Sequence, residues 1–316
     1  MARIGILFPG QGAQHPGMGK ALWERFALVR DLFAEASEAL GRDFARLCFD
    51  SPDDVLRETD TAQPCLYLAG YASWRALEIM LDGRHTVVVA AGHSLGEYTA
   101  LAAAGALTFV DGLGLVAERG RLMRRAGDVS RGTMLAILGL DVDRVEEACL
   151  AARRDGSADE VVVVANDNAP GQVVISGTPD AVARASVHAR EMGARRVVPI
   201  ATSGAFHSPL MDPVVADLKR AIDRTAIGRV ACPIVANTTA RPLREAADIR
   251  DELTAQVSGR VRWTESVRRM TDFQVDRLVE ATPGQVLAGL TRRIDPALPV
   301  LSIAGGDALE NLADSL

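Results

Sequence analysis

The stretch that decides the fold is 85–101, HTVVVAAGHSLGEYTAL. Its first part, Thr86–Ala91, is apolar and rich in β-branched residues, which predicts a buried strand. The run Glu97–Ala104 favours a helix, and GHSLG at 92–96 lies between the two. A G-x-S-x-G sequence between a strand and a helix is typical of a nucleophile elbow.

In such an elbow the turn is so tight that the residues flanking the serine, Gly92 and Gly96, must be nearly free of side chains. The geometry would lift the Ser94 hydroxyl out of the sheet. It would also aim the Leu95 N–H and the N-terminus of the following helix at an oxyanion. Ser94 is therefore the candidate nucleophile. The alternative is an ordinary glycine-bounded turn with a solvent-exposed serine.

The composition indicates a globular protein. A length of 316 residues suggests one or two domains, and 48% hydrophobic with 24% charged residues allows a core of normal size. The net charge of −6 is spread along the chain, which argues against a nucleic-acid partner. No apolar run is long enough for a signal peptide or a membrane span, so we expect no membrane association and a cytoplasmic location.

The cysteines agree with that location. Cys48, Cys65, Cys149 and Cys232 are widely separated and lack C-x-x-C spacing. This pattern predicts reduced thiols and neither a disulfide framework nor a metal site.

The first strand is predicted at Arg3–Phe8, and it leads into the glycine-rich turn 9–14, PGQGAQ. The turn lacks the lysine and spacing of a phosphate-binding loop. In hydrolase-like folds an early loop of this kind supplies the second donor of an oxyanion hole, and Gln11 is the candidate.

The patterning predicts a parallel α/β domain interrupted by a smaller one. Its further predicted elements are helices at Trp23–Gly41, Phe44–Leu47, Cys65–Leu81 (with 59–63 ending before Pro64), Phe109–Arg125, Leu210–Ala226, Ile249–Val257, Trp263–Met270 and Gln285–Arg293, and strands at Pro233–Ala236, Leu278–Glu280 and Val300–Ser302.

The smaller unit has the order βαββαβ, which is the ferredoxin-like pattern. Its predicted elements are the strands Thr133–Leu138, Val161–Ala165, Gln172–Ser176 and Arg196–Ile200 and the helices Val142–Arg153 and Pro179–Met192, with a turn at 166–171. We therefore assign residues 1–129 and 203–316 to the large domain and residues 130–202 to the inserted one.

A serine nucleophile needs a base within hydrogen-bond reach. His93 is adjacent to Ser94, and adjacent side chains diverge on an elbow. His85 and His188 lie in polar, surface-like contexts, and His15 is possible. His207 lies on a Gly/Ser/Pro-bounded loop that re-enters the large domain, where parallel sheets place functional loops, and it is the preferred base. No aspartate or glutamate near the end of the chain can be identified as the third member of a triad. A Ser-His dyad oriented by a backbone carbonyl is therefore as good an alternative as a full triad.

Six motifs occur in a fixed order: FPGQGAQ, GHSLGEY, RGRLM, NDNAPGQVVISG, GAFHSPLM and PIVANTTA. Together they resemble the malonyl-CoA:acyl carrier protein transacylase family, to which the acyltransferase domains of polyketide synthases are related. The resemblance extends from Phe8 to about Arg293. It implies an α/β-hydrolase-like large domain with a ferredoxin-like insert.

The resemblance also implies roles for single residues. Ser94 would form the acyl-enzyme, and His207 would take and return its proton. The N–H groups of Gln11 and Leu95 would hold the oxyanion. Arg119 would pair with the malonyl carboxylate.

Other positions matched by the resemblance have smaller implied roles. The Gln256 backbone carbonyl would orient the histidine, while Gln63 and Asn166 would lie near the pocket. Leu95 and Phe206 resemble the malonyl-selective pattern, and Phe206 would crowd the methyl of a methylmalonyl group, which is worth about 1–3 kcal/mol.

The expected reaction is ping-pong transfer from malonyl-CoA to the phosphopantetheine thiol of a carrier protein, with no cofactor or metal. We expect a monomer whose partners are the coenzyme A thioester and an acidic acyl carrier protein. The carrier would need a local basic patch, for which two groups are candidates: Arg190, Arg195 and Arg196, or Arg121, Arg124 and Arg125.

Three alternatives stay open. The first is a serine hydrolase or thioesterase, which would need no carboxylate-binding arginine. The second is an acyltransferase that serves a polyketide synthase or a malonate decarboxylase. The third, a non-enzymatic module that binds carrier protein, is disfavoured by the presence of both Ser94 and His207.

Overall fold

The computed structural model describes residues 2–81, 83 and 85–303. Its helices are Lys20–Arg25 (α1), Ala27–Leu40 (α2), Phe44–Asp50 (α3), Asp53–Arg57 (α4), Thr59–Leu81 (α5), Gly96–Ala103 (α6), Phe109–Val129 (α7), Val142–Arg154 (α8), Pro179–Glu191 (α9), Asp212–Arg224 (α10), Ala246–Gln256 (α11), Trp263–Thr271 (α12) and Val286–Ile294 (α13). Its strands are Arg3–Phe8 (β1), Thr86–Gly92 (β2), Thr133–Leu138 (β3), Val162–Ala169 (β4), Gln172–Gly177 (β5), Arg196–Pro199 (β6), Ile234–Val235 (β7), Pro242–Leu243 (β8), Arg277–Glu280 (β9) and Val300–Ser302 (β10).

The larger sheet has the strand order β10-β9-β1-β2-β7-β8, and all its pairings are parallel except β7 with β8. Successive residues of β1 enter two different cores. Ile6 and Phe8 join the cluster that contains α5, α6 and α7, whereas Leu7 joins the cluster around Trp263 and Leu287. Strands that are covered by helices on both faces lose the polar alternation, which explains the apolar run of β1.

The smaller sheet has the strand order β4-β5-β3-β6 and is antiparallel throughout. Its two crossover helices, α8 and α9, pack together over a separate apolar cluster. This arrangement is that of a ferredoxin-like unit. The predicted fold class, a large α/β unit with a parallel sheet and a small inserted one, is confirmed, while the exact boundaries 129/130 and 202/203 stay predictions. The last part of the range 203–316, residues 304–316, lies outside the described residues.

The predicted helix break before Pro64 is wrong, because α5 runs through this residue. A proline in a helix cannot donate to the carbonyl four residues earlier, which here belongs to Asp60. Arg42 replaces the missing donor, since its Nη1 lies 3.1 Å from the Asp60 carbonyl oxygen and its Nη2 lies 2.9 Å from Thr61 Oγ1. A side chain distant in sequence therefore permits the continuous helix.

The predicted helix Trp23–Gly41 is divided in two at Phe26, whose backbone is extended. The carbonyls at the end of α1 are satisfied by Arg30, whose Nη1 donates to the oxygens of Trp23 and Glu24 at 2.9 and 3.1 Å. The predicted helix Leu210–Ala226 likewise begins with a short 3-10 turn, Pro209–Met211.

The predicted turn at 166–171 is also wrong in its first part, because β4 continues to Ala169. Asn166 and Asp167 pair with β5, and the register shifts on either side of them. The Asp167 carboxylate accepts from Thr264 Oγ1 at 2.8 Å. The strand therefore extends to the large unit, where Thr264 binds the side chain of Asp167.

No helix in the described part of the chain is long and apolar enough to cross a membrane.

The role of Arg42 gives a stability prediction. Arg42→Ala should lower the free energy of unfolding by about 1–3 kcal/mol, because it leaves the Asp60 carbonyl without a donor. In a Pro64→Ala background the loss should be smaller, since the new N–H can donate to that carbonyl. Urea denaturation of the four proteins measures this difference. Equal losses in both backgrounds would contradict the role given to Arg42.

Candidate active site

The sharp turn between β2 and α6 places Ser94 in the left-handed region, with φ at 51°. No side chain fits two residues before it, at Gly92, or two residues after it, at Gly96. A Cβ on Gly92 would lie 1.9 Å from the Gly96 carbonyl carbon and oxygen, and a Cβ on Gly96 would lie 2.0 Å from the Phe8 carbonyl oxygen. The local geometry is therefore that of the predicted nucleophile elbow, wedged against the end of β1.

The Ser94 hydroxyl lies against His207, with 2.8 Å between Oγ and Nε2. His207 Nδ1 faces two backbone carbonyl oxygens, those of Gln256 at 2.9 Å and Gly259 at 3.0 Å. Carbonyls only accept, so Nδ1 carries the proton and Nε2 is left to accept from the serine. Of the two predicted alternatives, the structure has the dyad oriented by backbone carbonyls.

The charge state of His207 suits a base. Its burial and the positive charge of Arg119, with a contribution from His93, lower its pKa to about 3. The imidazole is consequently neutral near pH 7 and able to take a proton.

Two backbone N–H groups, one at the elbow and one in the loop after β1, are candidates for an oxyanion hole. The Ser94 N–H is already used, because it donates to Asn237 Oδ1 at 2.7 Å. Within the described residues, the N–H groups of Leu95 and Gln11 have no protein acceptor. Gln11 lines the same cavity as Ser94, and its side chain is held by Thr59 Oγ1 at 3.3 Å.

Arg119 is buried in the site and is not a charge on the outer face of α7, with only 1% of its surface exposed. Its Nη1 donates to Gln63 Oε1 at 2.8 Å, and its Nη2 donates to Gln256 Oε1 at 2.9 Å. The same Nη2 lies 3.1 Å from Ser94 Oγ. Burial lowers the pKa of the guanidinium, and its three bonded partners are all neutral.

These side chains surround a cavity of about 190 Å³. Of the predicted site residues it is lined by Gln11, Ser94, Arg119, Asn166, Phe206 and His207. Gln63 and Gln256 lie behind the guanidinium and contact it. Leu95 is buried at the start of α6. All nine predicted positions thus belong to one region.

Sequence reasoning missed several residues of this region. Asn237 holds the elbow at both ends, since its Oδ1 accepts from Ser94 N and its Nδ2 donates to the Gly92 carbonyl at 2.7 Å. His93 is adjacent to Ser94 in sequence, but it is His207 that contacts the Ser94 hydroxyl. His93 lines the cavity, where its Nε2 lies 2.8 Å from Asn168 Oδ1. Asn237 and His93 both lie within the motifs quoted above. Their position in those motifs was the sequence signal that could have identified them.

The second candidate docking patch is largely neutralised by neighbouring acids. Arg121 pairs with Glu118, Arg124 with Glu58 and Asp60, and Arg125 with Asp217. Exposed pairs of this kind leave little net positive charge for an acidic partner.

Residues 6–293 match the sequence model of the acyl transferase domain. A malonyl CoA-acyl carrier protein transacylase of Bacillus subtilis is 38% identical over 310 residues, covering 98% of this chain and 96% of that one. The chain belongs to the malonyl-CoA:acyl carrier protein transacylase family. The predicted family is thereby confirmed.

Solved structures of this transacylase family share the fold over the whole chain. An acyl carrier protein S-malonyltransferase from Vibrio cholerae has a TM-score of 0.93 at 39% identity, covering 98% of this chain and 100% of that one. One chain from a complex described as a type II polyketide synthase acyl-carrier protein with its malonyl-transacylase has a TM-score of 0.94 at 36% identity, and the match covers 100% of this chain and 100% of that one.

The protonation of His207 gives a pH prediction. A histidine at its ordinary pKa of about 6.5 would be mostly charged at pH 5. His207 should stay neutral there, because burial and Arg119 disfavour its cation. Imidazole NMR shifts, assigned with His207→Asn, would follow its titration. An inflection near pH 6.5 would contradict the environment described. In Arg119→Ala the inflection should move upward.

Proposed function

We propose that this member of the family transfers a malonyl group from malonyl-CoA to the phosphopantetheine thiol of an acyl carrier protein, through an ester on Ser94. The proposal rests on one observation: a base and a buried cation both lie close to the same oxygen atom. One oxygen, Ser94 Oγ, lies 2.8 Å from the His207 base and 3.1 Å from a buried guanidinium. An acyl group bound there that ends in a carboxylate would meet the guanidinium.

In the first half-reaction, His207 Nε2 takes the hydroxyl proton while Ser94 Oγ attacks the thioester carbonyl carbon. The negative charge on the carbonyl oxygen would be held by the N–H groups of Leu95 and Gln11. The C–S bond then breaks, and Nε2 returns the proton to the departing coenzyme A sulfur.

The second half-reaction runs the same steps with the carrier thiol. Nε2 takes the thiol proton, the sulfur attacks the ester carbonyl, and the C–O bond to Ser94 breaks. The proton then returns to Ser94 Oγ. The covalent step thus splits one transfer into two of similar chemistry and restores the enzyme.

Arg119 supplies the selectivity in this proposal. A guanidinium can hold a carboxylate through two parallel hydrogen bonds. A neutral acyl group would leave that buried cation without an anion, which is unfavourable. A hydrolase acting on neutral esters would have no use for the same buried cation, so Arg119 favours transfer of a dicarboxylic acyl group.

Phe206 would limit the size of the acyl group. It lines the cavity, whereas Leu95 is buried next to Ser94 at the start of α6. A branching methyl would have to fit beside Phe206, and discrimination of one methyl is worth about 1–3 kcal/mol. We therefore propose a preference for malonyl over methylmalonyl that is smaller than the preference over acetyl.

The test is to incubate the protein separately with malonyl-CoA and acetyl-CoA and to measure the intact mass and kcat/KM. Wild type should gain a malonyl adduct, and Ser94→Ala should gain none. Arg119→Ala should reduce the malonyl-to-acetyl ratio of kcat/KM by about 100-fold, because two charge-assisted hydrogen bonds are lost.

Arg121→Ala is the matched control, since Arg121 lies on the same helix but is exposed and paired with Glu118. Its ratio should equal that of wild type. Addition of a holo carrier protein should then remove the adduct, and carriers from fatty-acid and polyketide synthesis can be compared directly. Hydrolysis of every thioester without transfer would refute the proposal in favour of a hydrolase.

A further inference from the structure

Directly behind the candidate nucleophile lies a carboxylate that the proposed reaction does not use. Glu97 is in the first turn of α6, three residues after Ser94, and is fully buried. Its Oε1 accepts from the Asn237 N–H at 3.1 Å, and its Oε2 accepts from Gln256 Nε2 at 2.5 Å. Both oxygens face donors, an arrangement that suits an ionised carboxylate because that group only accepts.

Gln256 connects this carboxylate to Arg119. Its Nε2 donates to Glu97 Oε2 and to the Ser94 carbonyl oxygen, the latter at 2.8 Å, while its Oε1 accepts from Arg119 Nη2. If the amide were turned over, its NH₂ would face the guanidinium and its oxygen would face the carboxylate. Both contacts would then be repulsive, as would the contact between the amide oxygen and the Ser94 carbonyl oxygen. Glu97 therefore acts together with the Ser94 carbonyl and Arg119 to fix the orientation in which an oxygen faces Arg119.

Burial, nearby charges and hydrogen bonds all affect the pKa of the Glu97 carboxyl group. Burial raises the pKa of Glu97 well above its usual range, and the nearby Glu252 raises it further. The N–H donors of Asn237 and Gln256, together with the Arg119 charge, act in the opposite direction. Arg119 and Glu97 thus lie buried on opposite sides of one amide, that of Gln256.

We propose that Glu97 is a positioning residue for the carboxylate-binding site: through Gln256 it holds the Arg119 guanidinium beside Ser94 Oγ. This inference rests on the proposed function, in which Arg119 binds the malonyl carboxylate. Glu97 touches neither the acyl group nor the reacting atoms in this account. Its effect should be confined to carboxylated substrates.

The test uses Glu97→Gln, which keeps the size of the side chain but offers one acceptor in place of two. One of the two facing N–H groups must then meet another donor, and the Gln256 amide should be held less firmly in its orientation. We expect the malonyl-to-acetyl ratio of kcat/KM to fall about tenfold, mainly through a higher KM for malonyl-CoA. A merely structural role would lower the values for both thioesters equally.

Glu252→Gln is the matched control. Glu252 is also a buried carboxylate and lies on the same helix as Gln256, but its oxygens accept from the N–H and the hydroxyl of Thr238. We expect its malonyl-to-acetyl ratio to match wild type. If Glu97→Gln keeps the wild-type ratio, or if Glu252→Gln lowers it equally, the inference is overturned.

Arg119→Ala separates this failure from failure of the proposed function. If Arg119→Ala lowers the ratio and Glu97→Gln does not, the proposed function stands and the positioning role falls. If Arg119→Ala leaves the ratio unchanged, both proposals fail.

Gln256→Ala tests the same contacts between Glu97 and Arg119 without altering Glu97, in case Glu97→Gln does not fold. It keeps the backbone carbonyl that faces His207 but removes the amide between Glu97 and Arg119. The ratio should again fall about tenfold, and the double variant with Glu97→Gln should be no worse than either single one. An unchanged ratio in Gln256→Ala would overturn the inference.

Discussion

The site depends on one electrostatic constraint, the burial of the Arg119 guanidinium among neutral hydrogen-bond acceptors. A buried cation is costly unless it is well solvated by the protein. Gln63 from α5 and Gln256 from α11 supply amide oxygens, and the ring of Tyr98 lies 5.3 Å from the guanidinium carbon. These groups keep the cation in place and leave its charge available. In the proposed reaction this arrangement would favour an anionic acyl group. After burial itself, the Arg119 charge is the next largest cause of the lowered pKa of His207.

The second constraint is steric and concerns the elbow. With no room for a Cβ at Gly92 or Gly96, the turn packs directly on the end of β1, and Asn237 ties its two ends together. Because the Ser94 N–H donates to Asn237, the proposed oxyanion hole would use the N–H groups of the next residue and of the loop after β1. The carboxyl ends of three parallel strands thus each contribute one part of the site, as is usual in α/β folds.

The small unit also reaches this site. The segment after α11 carries the Gly259 carbonyl that faces His207, and its next residues pair with β4. The Val261 N–H donates to the Ala165 carbonyl at 2.8 Å, and the Asp167 N–H donates to the Val261 carbonyl at 2.9 Å. The antiparallel sheet therefore braces the chain that orients the base. This explains why β4 extends through a polar stretch that resembles a turn.

Local pattern was sufficient where one segment decides the structure. The strand β1, the elbow and the βαββαβ order follow from apolar runs and glycines that are close together in sequence. It was insufficient where distant residues decide. The continuation of α5 through Pro64 depends on Arg42, and the strand conformation at Asn166 depends on Val261. Asn237 and Glu97 were missed for the same reason, because their function lies in contacts about 140 residues apart.

The central claim, that Arg119 receives the carboxylate of the acyl group on Ser94, is tested most directly by a crystal structure of the protein after reaction with malonyl-CoA. The account predicts an ester on Ser94 Oγ with both carboxylate oxygens within hydrogen-bond distance of the Arg119 guanidinium. A malonyl ester whose carboxylate points into the open cavity, with Arg119 still bonded only to Gln63 and Gln256, would contradict it.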